Sequence, residues 1–270
     1  MLACVNSLNS HMKRHPIPAH FRSHHPHPCD GNLPADLNAV LRQRVTEAAE
    51  ATLELSRGET LVHSGMPFKH LYLVVSGGFK AVEIGEDGQS QIVSFHYARE
   101  LMGLSGFAQQ RYTTDLIALA PSLICEFSMA AVESIVGADR SLLNHLLTYA
   151  SESLARAEHD QFRLGSMSAT QKIASFLLHR QEQLRQAGEK CDQFELLMTR
   201  EELGSYLGLS METISRLLSH LQELGVVRVD KRLIEILSED PLRAWLDGAV
   251  TLPTSSCHKP AAKRAALKLA

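Results

Sequence analysis

Between residues 199 and 224 apolar side chains recur at helical spacing. Leu203 and Leu207 mark the buried face of a short helix in TREELGSYLG, and Gly208 follows it as a turn. In GLSMETISRLLSHL, Ile214, Leu217, Leu218 and Leu221 recur at i, i+3, i+4 and i+7, one face of a second helix. Thr199 and Glu202 have capping-box spacing, and Ser210 precedes the second helix as its cap. Two short helices joined by a glycine-bearing turn predict a helix-turn-helix. GVVRVDKRLIEIL adds two β-branched runs around Asp230–Lys231, a hairpin signal, so the unit reads as a winged helix-turn-helix.

Upstream the period shortens. From about 52 to 128, TLVHSG, HLYLVVSGGFKAVEI, QSQIVSFHY and LICEF are short β runs cut by glycines. Strands at this spacing predict a small barrel or jelly roll able to hold one ligand. Residues 140–164 return to helical period. Leu143, Leu147, Ala150, Leu154 and Ala157 step 4, 3, 4, 3, the rhythm of a two-helix seam. A helix of about 25 residues spans about 37 Å, long for one small domain, which favours a homodimer over packing on the protein's own barrel.

The candidate chemistry lies off the apolar face of the second helix. Glu212, Ser215 and Arg216 point away from it on neighbouring turns. In a helix-turn-helix this helix enters the DNA major groove N-terminal end first. Arg can pair bidentately with guanine, and Glu can accept from cytosine N4. Thr199, Ser210 and Met211 lie beside them as further DNA-site candidates, and Arg228, Lys231 and Arg232 on the wing are placed to meet phosphates. The bland alternative is a solvated face with an i, i+4 ion pair between Glu212 and Arg216.

The chain has 270 residues and a formal net charge of −3, so DNA binding needs a local basic patch, not a global field. No apolar run is long enough to span a membrane, and the first twenty residues lack a signal-peptide core, so a cytoplasmic location is expected. The five cysteines, Cys4, Cys29, Cys125, Cys191 and Cys257, show no close pairing and read as reduced thiols. Residues 1–28 carry six histidines and no acidic residue, and read as a disordered arm. The barrel lacks a His-x-His pair, since His63, His70 and His96 are not so spaced, so an enzyme is not expected.

The β-roll stretch GETLVHSGMPFKHLYLVVSGGFKAV, the long helix, and LLMTREELGSYLGLSMETISRLLSHLQELGVV together resemble the Crp–Fnr superfamily of bacterial transcription regulators, over residues 30 to 245. The pattern Glu212-x-x-Ser215-Arg216 resembles the Fnr branch; the cyclic-AMP branch has Gly where this chain has Ser215. The resemblance implies an α+β chain with a cyclic-nucleotide-binding-like β-roll, a dimerisation helix and a winged helix-turn-helix. It implies an activator that binds double-stranded DNA as a homodimer at a TTGAT-like palindrome, works with RNA polymerase, and serves redox or oxygen-related gene control. Arg216 would then contact guanine, Glu212 the paired cytosine and Ser215 a thymine. The alternatives are a cyclic-nucleotide-responsive regulator, or a ligand-binding protein that has lost DNA binding.

The sensor half departs from the branch. Oxygen-sensing members hold a [4Fe–4S] cluster on three N-terminal cysteines and a fourth in the β-roll. Cys125 matches the fourth and Cys29 the last of the three, but the other two positions fall near His20 and Ser23. Cys4 could reach in, or a histidine could complete the set. The preferred expectation is no cofactor. Cyclic nucleotide binders need an Arg–Ser pair and a Glu; Asp115, Leu116 and Leu104 stand there instead, with Arg111 several residues early, so cyclic AMP is not expected. The expected divisions are a disordered arm 1–29, β-roll 30–138, dimerisation helix 139–164, DNA-binding domain 165–248 and a basic disordered tail 249–270.

Overall fold

The computed structural model describes residues 12–17, 27–34 and 36–247. Two antiparallel sheets form the N-terminal half. One runs β1 (Lys13–Pro16), β2 (Ala51–Leu55), β9 (Ser122–Ser128), β4 (His70–Ser76), β7 (Leu101–Met102). The other runs β3 (Thr60–Val62), β8 (Asp115–Ala118), β5 (Gly78–Ile84), β6 (Ser90–Tyr97). Strand side chains alternate between faces, so each sheet turns one row inward. Leu53, Leu71 and Ile124 from the first sheet share one core with Leu61, Phe79 and Leu116 from the second.

Three helices wrap this roll. In α1 (Ala39–Ala48), the Asn38 side chain caps the Leu41 amide at 2.9 Å, and Leu41 and Val45 enter the core. Helix α2 (Met129–Ala138) starts directly from β9 with Ser128 as its cap and contributes Val132 and Ile135. Helix α3 (Ser141–Ser166) is 26 residues long. One face holds it to the roll: Leu142 is buried, and the Tyr149 hydroxyl donates to the Leu101 carbonyl at 2.7 Å. The opposite face is open. Leu147 and Leu154 are 59% and 62% exposed.

The C-terminal half contains α4 (Ala169–Gln186), β10 (Gln193–Glu195), α5 (Arg200–Leu207), α6 (Met211–Glu223), β11 (Val227–Asp230), β12 (Leu233–Ile236) and α7 (Asp240–Leu246). Its core joins Ile173 and Leu177 of α4 to Leu203, Ile214, Leu218 and Trp245. The same core takes in Val82, Ile92, Phe95 and Tyr97 of the β5–β6 hairpin, so the two halves are packed together through buried apolar surface.

Three expectations are corrected. Part of the arm expected to be disordered is an edge strand: β1 pairs with β2, and Arg14 Nε and Nη2 donate to one carboxylate oxygen of Glu126 at 3.0 and 2.7 Å. Glu126 is nearly buried, and a buried carboxylate needs such a partner. The thiols expected to be unpaired include a bonded pair: Cys29 and Cys125, 96 residues apart, form a disulfide. The wing turn is centred one residue later than Asp230–Lys231, because Asp230 pairs with Leu233 and Lys231 takes positive φ. Cys4, Cys257 and the tail 249–270 lie outside the described residues.

Candidate DNA-reading site

The reading unit is built by its caps. The Thr199 hydroxyl accepts from the Glu202 amide at 3.1 Å, and the Glu202 carboxylate accepts from the Thr199 amide at 2.7 Å, a closed capping box on α5. Gly208 ends α5 in the left-handed region at φ 62°. A second glycine is needed as well: a Cβ on Gly204 would lie 2.5 Å from the Leu209 carbonyl oxygen, so only glycine lets the turn approach α5 this closely. Ser210 then accepts from the Thr213 amide at 3.2 Å and starts α6.

Ile214, Leu218 and Leu221 are buried against α5 and α4 and fix the roll of α6; Leu217 is only half-buried. That roll brings Met211, Glu212 and Arg216 to the exposed side, with Ser215 partly exposed beside them. No ion pair joins Glu212 to Arg216 among the described residues, so neither is spent on the other. The Glu212 backbone amide and then the Ser210 hydroxyl hold its carboxyl below the usual range, keeping it an acceptor. Thr199 is committed to its cap and stands farther from this group in the chain, at the start of α5.

The wing cations differ from one another. Arg228 ion-pairs with Glu235 on the neighbouring strand, and Arg232 donates to the Leu197 carbonyl at 3.3 Å. Lys231, at the tip, is exposed with φ 55° and forms no ion pair among the described residues. It is therefore the wing cation most available to a phosphate.

The β-roll grips α5 at its cap. Lys80 Nζ meets Glu202 at 2.8 Å, Arg57 lies 3.5 Å from the other carboxylate oxygen, and the Ile92 amide donates to Ser205 at 3.3 Å. Burial alone would raise the Glu202 carboxyl, but the Lys80 ammonium and the Thr199 amide together hold it below the usual range. Arg163 of α3 is buried, sits over the Tyr206 ring at 4.7 Å and lies 2.9 Å from Asp160, which in turn accepts from the Tyr206 hydroxyl at 2.6 Å. None of these inter-element contacts was readable in the sequence, because they join residues with no local signal.

A cavity of about 820 Å³ lies between β6, α3 and α4. Leu104 and Leu116 line it, where a cyclic nucleotide needs a Glu and a Ser. Asp115 faces His63 Nδ1 at 3.2 Å and the Ser64 amide at 2.7 Å, and Arg111 is held on the Gly65 carbonyl at 2.6 Å. Asp115 and Leu116, at the positions where a cyclic nucleotide binder needs its Arg–Ser pair, carry no cation; the arginines that line the cavity are Arg156 and Arg163 of α3 and Arg180 of α4.

On the other side of the roll, His27, Cys29 and Cys125 form a buried group of candidate metal ligands, with one ligand atom of each within 4.8 Å of the others. His27 was not foreseen as a member. A [4Fe–4S] cluster of the kind the branch implies is held by thiolates. Here the two sulfurs are bonded to each other and offer iron no thiolate. Arranged this way, the described residues do not fit the cluster; Cys4 and His20 lie outside them.

A β-roll, an open-faced long helix and a winged helix-turn-helix with free polar groups on its second helix define a transcription regulator that carries sensor and DNA reader in one chain. Residues 52–139 match the cyclic nucleotide-binding domain, and 171–245 match the Crp-like helix-turn-helix domain. The transcriptional activator protein anr of Pseudomonas aeruginosa is 30% identical over 216 residues, covering 80% of this chain and 88% of that protein. The fumarate and nitrate reduction regulatory protein of Salmonella typhimurium is 30% identical over 212 residues, 78% and 85% of the two chains. Among solved structures, FixK2 from Bradyrhizobium japonicum is similar with a TM-score of 0.65 and 26% identity, over 71% of this chain and 94% of that one. The chain belongs to the Crp–Fnr superfamily of transcription regulators, on its Fnr-like branch, and is not an enzyme.

Proposed function

We propose that the protein binds a palindrome of TTGAT-like half-sites as a homodimer and serves redox or oxygen-related gene control. The observation that carries this reading is the Glu212–Ser215–Arg216 group on a helix capped by Ser210, with Glu212 and Arg216 exposed and not spent on each other and Ser215 partly exposed beside them. Arg216 pairs with guanine, Glu212 accepts from the opposing cytosine, and Ser215 meets a thymine. The exposed leucines of α3 support the dimer: Leu143, Leu147 and Leu154, with Ala150 and Ala157 on the same stripe, meet the same face of a second copy. A two-fold dimer places two reading helices on two half-sites, which is why the target is a palindrome. Lys231 holds a flanking phosphate. The similarity to a fumarate and nitrate reduction regulatory protein supports the redox setting, and contact with RNA polymerase belongs to the same reading through the family.

The test is a binding titration of the full chain against two duplexes, one with the TTGAT palindrome and one with the G·C pair of each half-site replaced. Two mismatches at roughly 1–3 kcal/mol each predict about a 30-fold preference or more. Equal binding to both duplexes would overturn the reading.

A further inference from the structure

We propose that Cys29 and Cys125 are a reversible thiol–disulfide pair whose redox state is passed to the dimer helix α3, an inference that rests on the reading of the chain as a DNA-binding dimer. A protein that works on DNA does so in a reducing compartment, where disulfides are usually transient or sensing and not permanent staples. The bond in question joins the two cysteines that the cluster-bearing pattern would have used for iron, and it closes between a short loop turn and the middle strand of the roll's larger sheet.

Its position gives it a path to α3. Cys125 lies on β9, which runs straight into α2, and α2 packs on α3 through the core shared by Val132, Ile135 and Leu142. Cys29 opens the turn Asp30–Asn32, which holds α1: the Arg42 guanidinium donates to the Asp30 carbonyl at 2.8 Å and the Thr46 hydroxyl to the Asp30 carboxylate at 2.7 Å. The same segment touches α3 directly, with Asp36 lying 3.5 Å from His145 Nδ1. The disulfide therefore fastens the segment 29–48 across the base of α2 and α3. The dithiol form leaves that fastening to weaker contacts, and the start of the seam is free to shift.

The chemistry balances with glutathione disulfide as the oxidant. Both sulfurs are fully buried, so exchange follows a local opening of the loop turn, which exposes Cys29 before the strand residue Cys125. The Cys29 thiolate attacks one glutathione sulfur, giving a mixed disulfide and releasing one glutathione thiolate. The Cys125 thiolate then attacks the Cys29 sulfur, forms the intramolecular bond and releases the second glutathione. Two protein thiols are oxidised, and one glutathione disulfide is reduced to two glutathiones.

The experiment equilibrates the full chain, purified without oxygen, in glutathione buffers of rising oxidised fraction. Thiols are trapped by alkylation and the Cys29 and Cys125 peptides read by mass spectrometry, while sedimentation gives the dimer constant at each poise. Both peptides should be alkylated in the reduced buffer and cross-linked to each other in the oxidised one, with a dimer constant that differs by about fivefold or more. Cys29→Ser and Cys125→Ser should remove that difference, and Cys191→Ser should keep it. Should the serine variants fail to fold by circular dichroism, the two states of the unaltered chain still decide. Alkylation of both cysteines in every buffer, an unchanged dimer constant, or iron and sulfide in stoichiometric amount on the anaerobic protein would each overturn the proposal. A redox-sensitive dimer that ignores the TTGAT palindrome would instead sink the DNA reading and leave the switch standing.

Discussion

The DNA-reading half and the sensor half are built on different kinds of information. In the reading half each decisive contact is local. Thr199 and Glu202 are three residues apart, Ser210 and Thr213 are three apart, and the Gly204 contact to Leu209 spans one turn. In the sensor half the decisive contacts are long-range. Arg14 reaches Glu126 across 112 residues, and Cys29 reaches Cys125 across 96. A reader of DNA keeps its geometry by caps and glycines that survive any change of signal. The roll is closed between distant segments, and in the proposed switch the Cys29–Cys125 closure opens. The two are joined where Lys80 and Arg57 of the roll hold Glu202, the capping carboxylate of the reader.

The largest effect expected is on α3. Leu147→Glu or Leu154→Glu puts a carboxylate on the proposed seam, where two such charges would face each other in the dimer. Sedimentation should show monomer and operator binding should vanish; an unchanged dimer would move the seam elsewhere. Next is the reader's turn. Gly204→Ala sets a Cβ against the Leu209 carbonyl, which must shift, at a cost of about 1–3 kcal/mol seen as a lower unfolding midpoint. An equal effect from Gly31→Ala, where a Cβ has nothing within 4 Å, would mean that the close approach to Leu209 is not what makes Gly204 necessary. Smaller still is the joint between halves. Lys80→Ala should cost about 1 kcal/mol, since both partners keep some solvent exposure. The folded Glu202 carboxyl is held low, so its contribution is full above the ordinary value of 4.5 and is lost as pH falls toward its lowered folded value. In acid titrations the unaltered chain should therefore lose stability more than the Lys80→Ala chain. Parallel curves would mean that the joint rests on apolar packing alone.

This difference also explains what the sequence disclosed. The helix-turn-helix was legible to within a residue, because caps, glycine and apolar period coincide over a short stretch. The strands β3, β4, β5, β6 and β9 were legible from β-branched runs, whereas β2, β7, β8 and β10 were not. ATLEL is short and flanked by helix-forming residues, and DLIA and QFE are too brief to set a period. Helix α4 carried a readable capping box, Ser168 with Gln171, that was overshadowed by the long helix before it. The disulfide had no local signal at all: the resemblance matches Cys125 and Cys29 to cluster ligands, and their bond follows only from the path of the chain between them. Among the wing cations, type and position pointed equally to Arg228, Lys231 and Arg232, and only the fold shows that Arg228 and Arg232 already have partners.

The central claim is that the exposed group on α6 reads bases. It is tested most directly by titrating the unaltered chain, Arg216→Ala and Lys231→Ala against the TTGAT palindrome and its G·C-replaced counterpart at two salt concentrations. Arg216→Ala should cost roughly 1–3 kcal/mol per half-site, about twice that for the symmetric operator, and should erase the preference for the G·C pair. Lys231→Ala should weaken both duplexes alike and make the salt dependence shallower by about one phosphate contact per subunit. If Arg216→Ala instead weakens both duplexes equally and leaves the G·C preference intact, Arg216 is a backbone contact and the account of the reading helix is wrong.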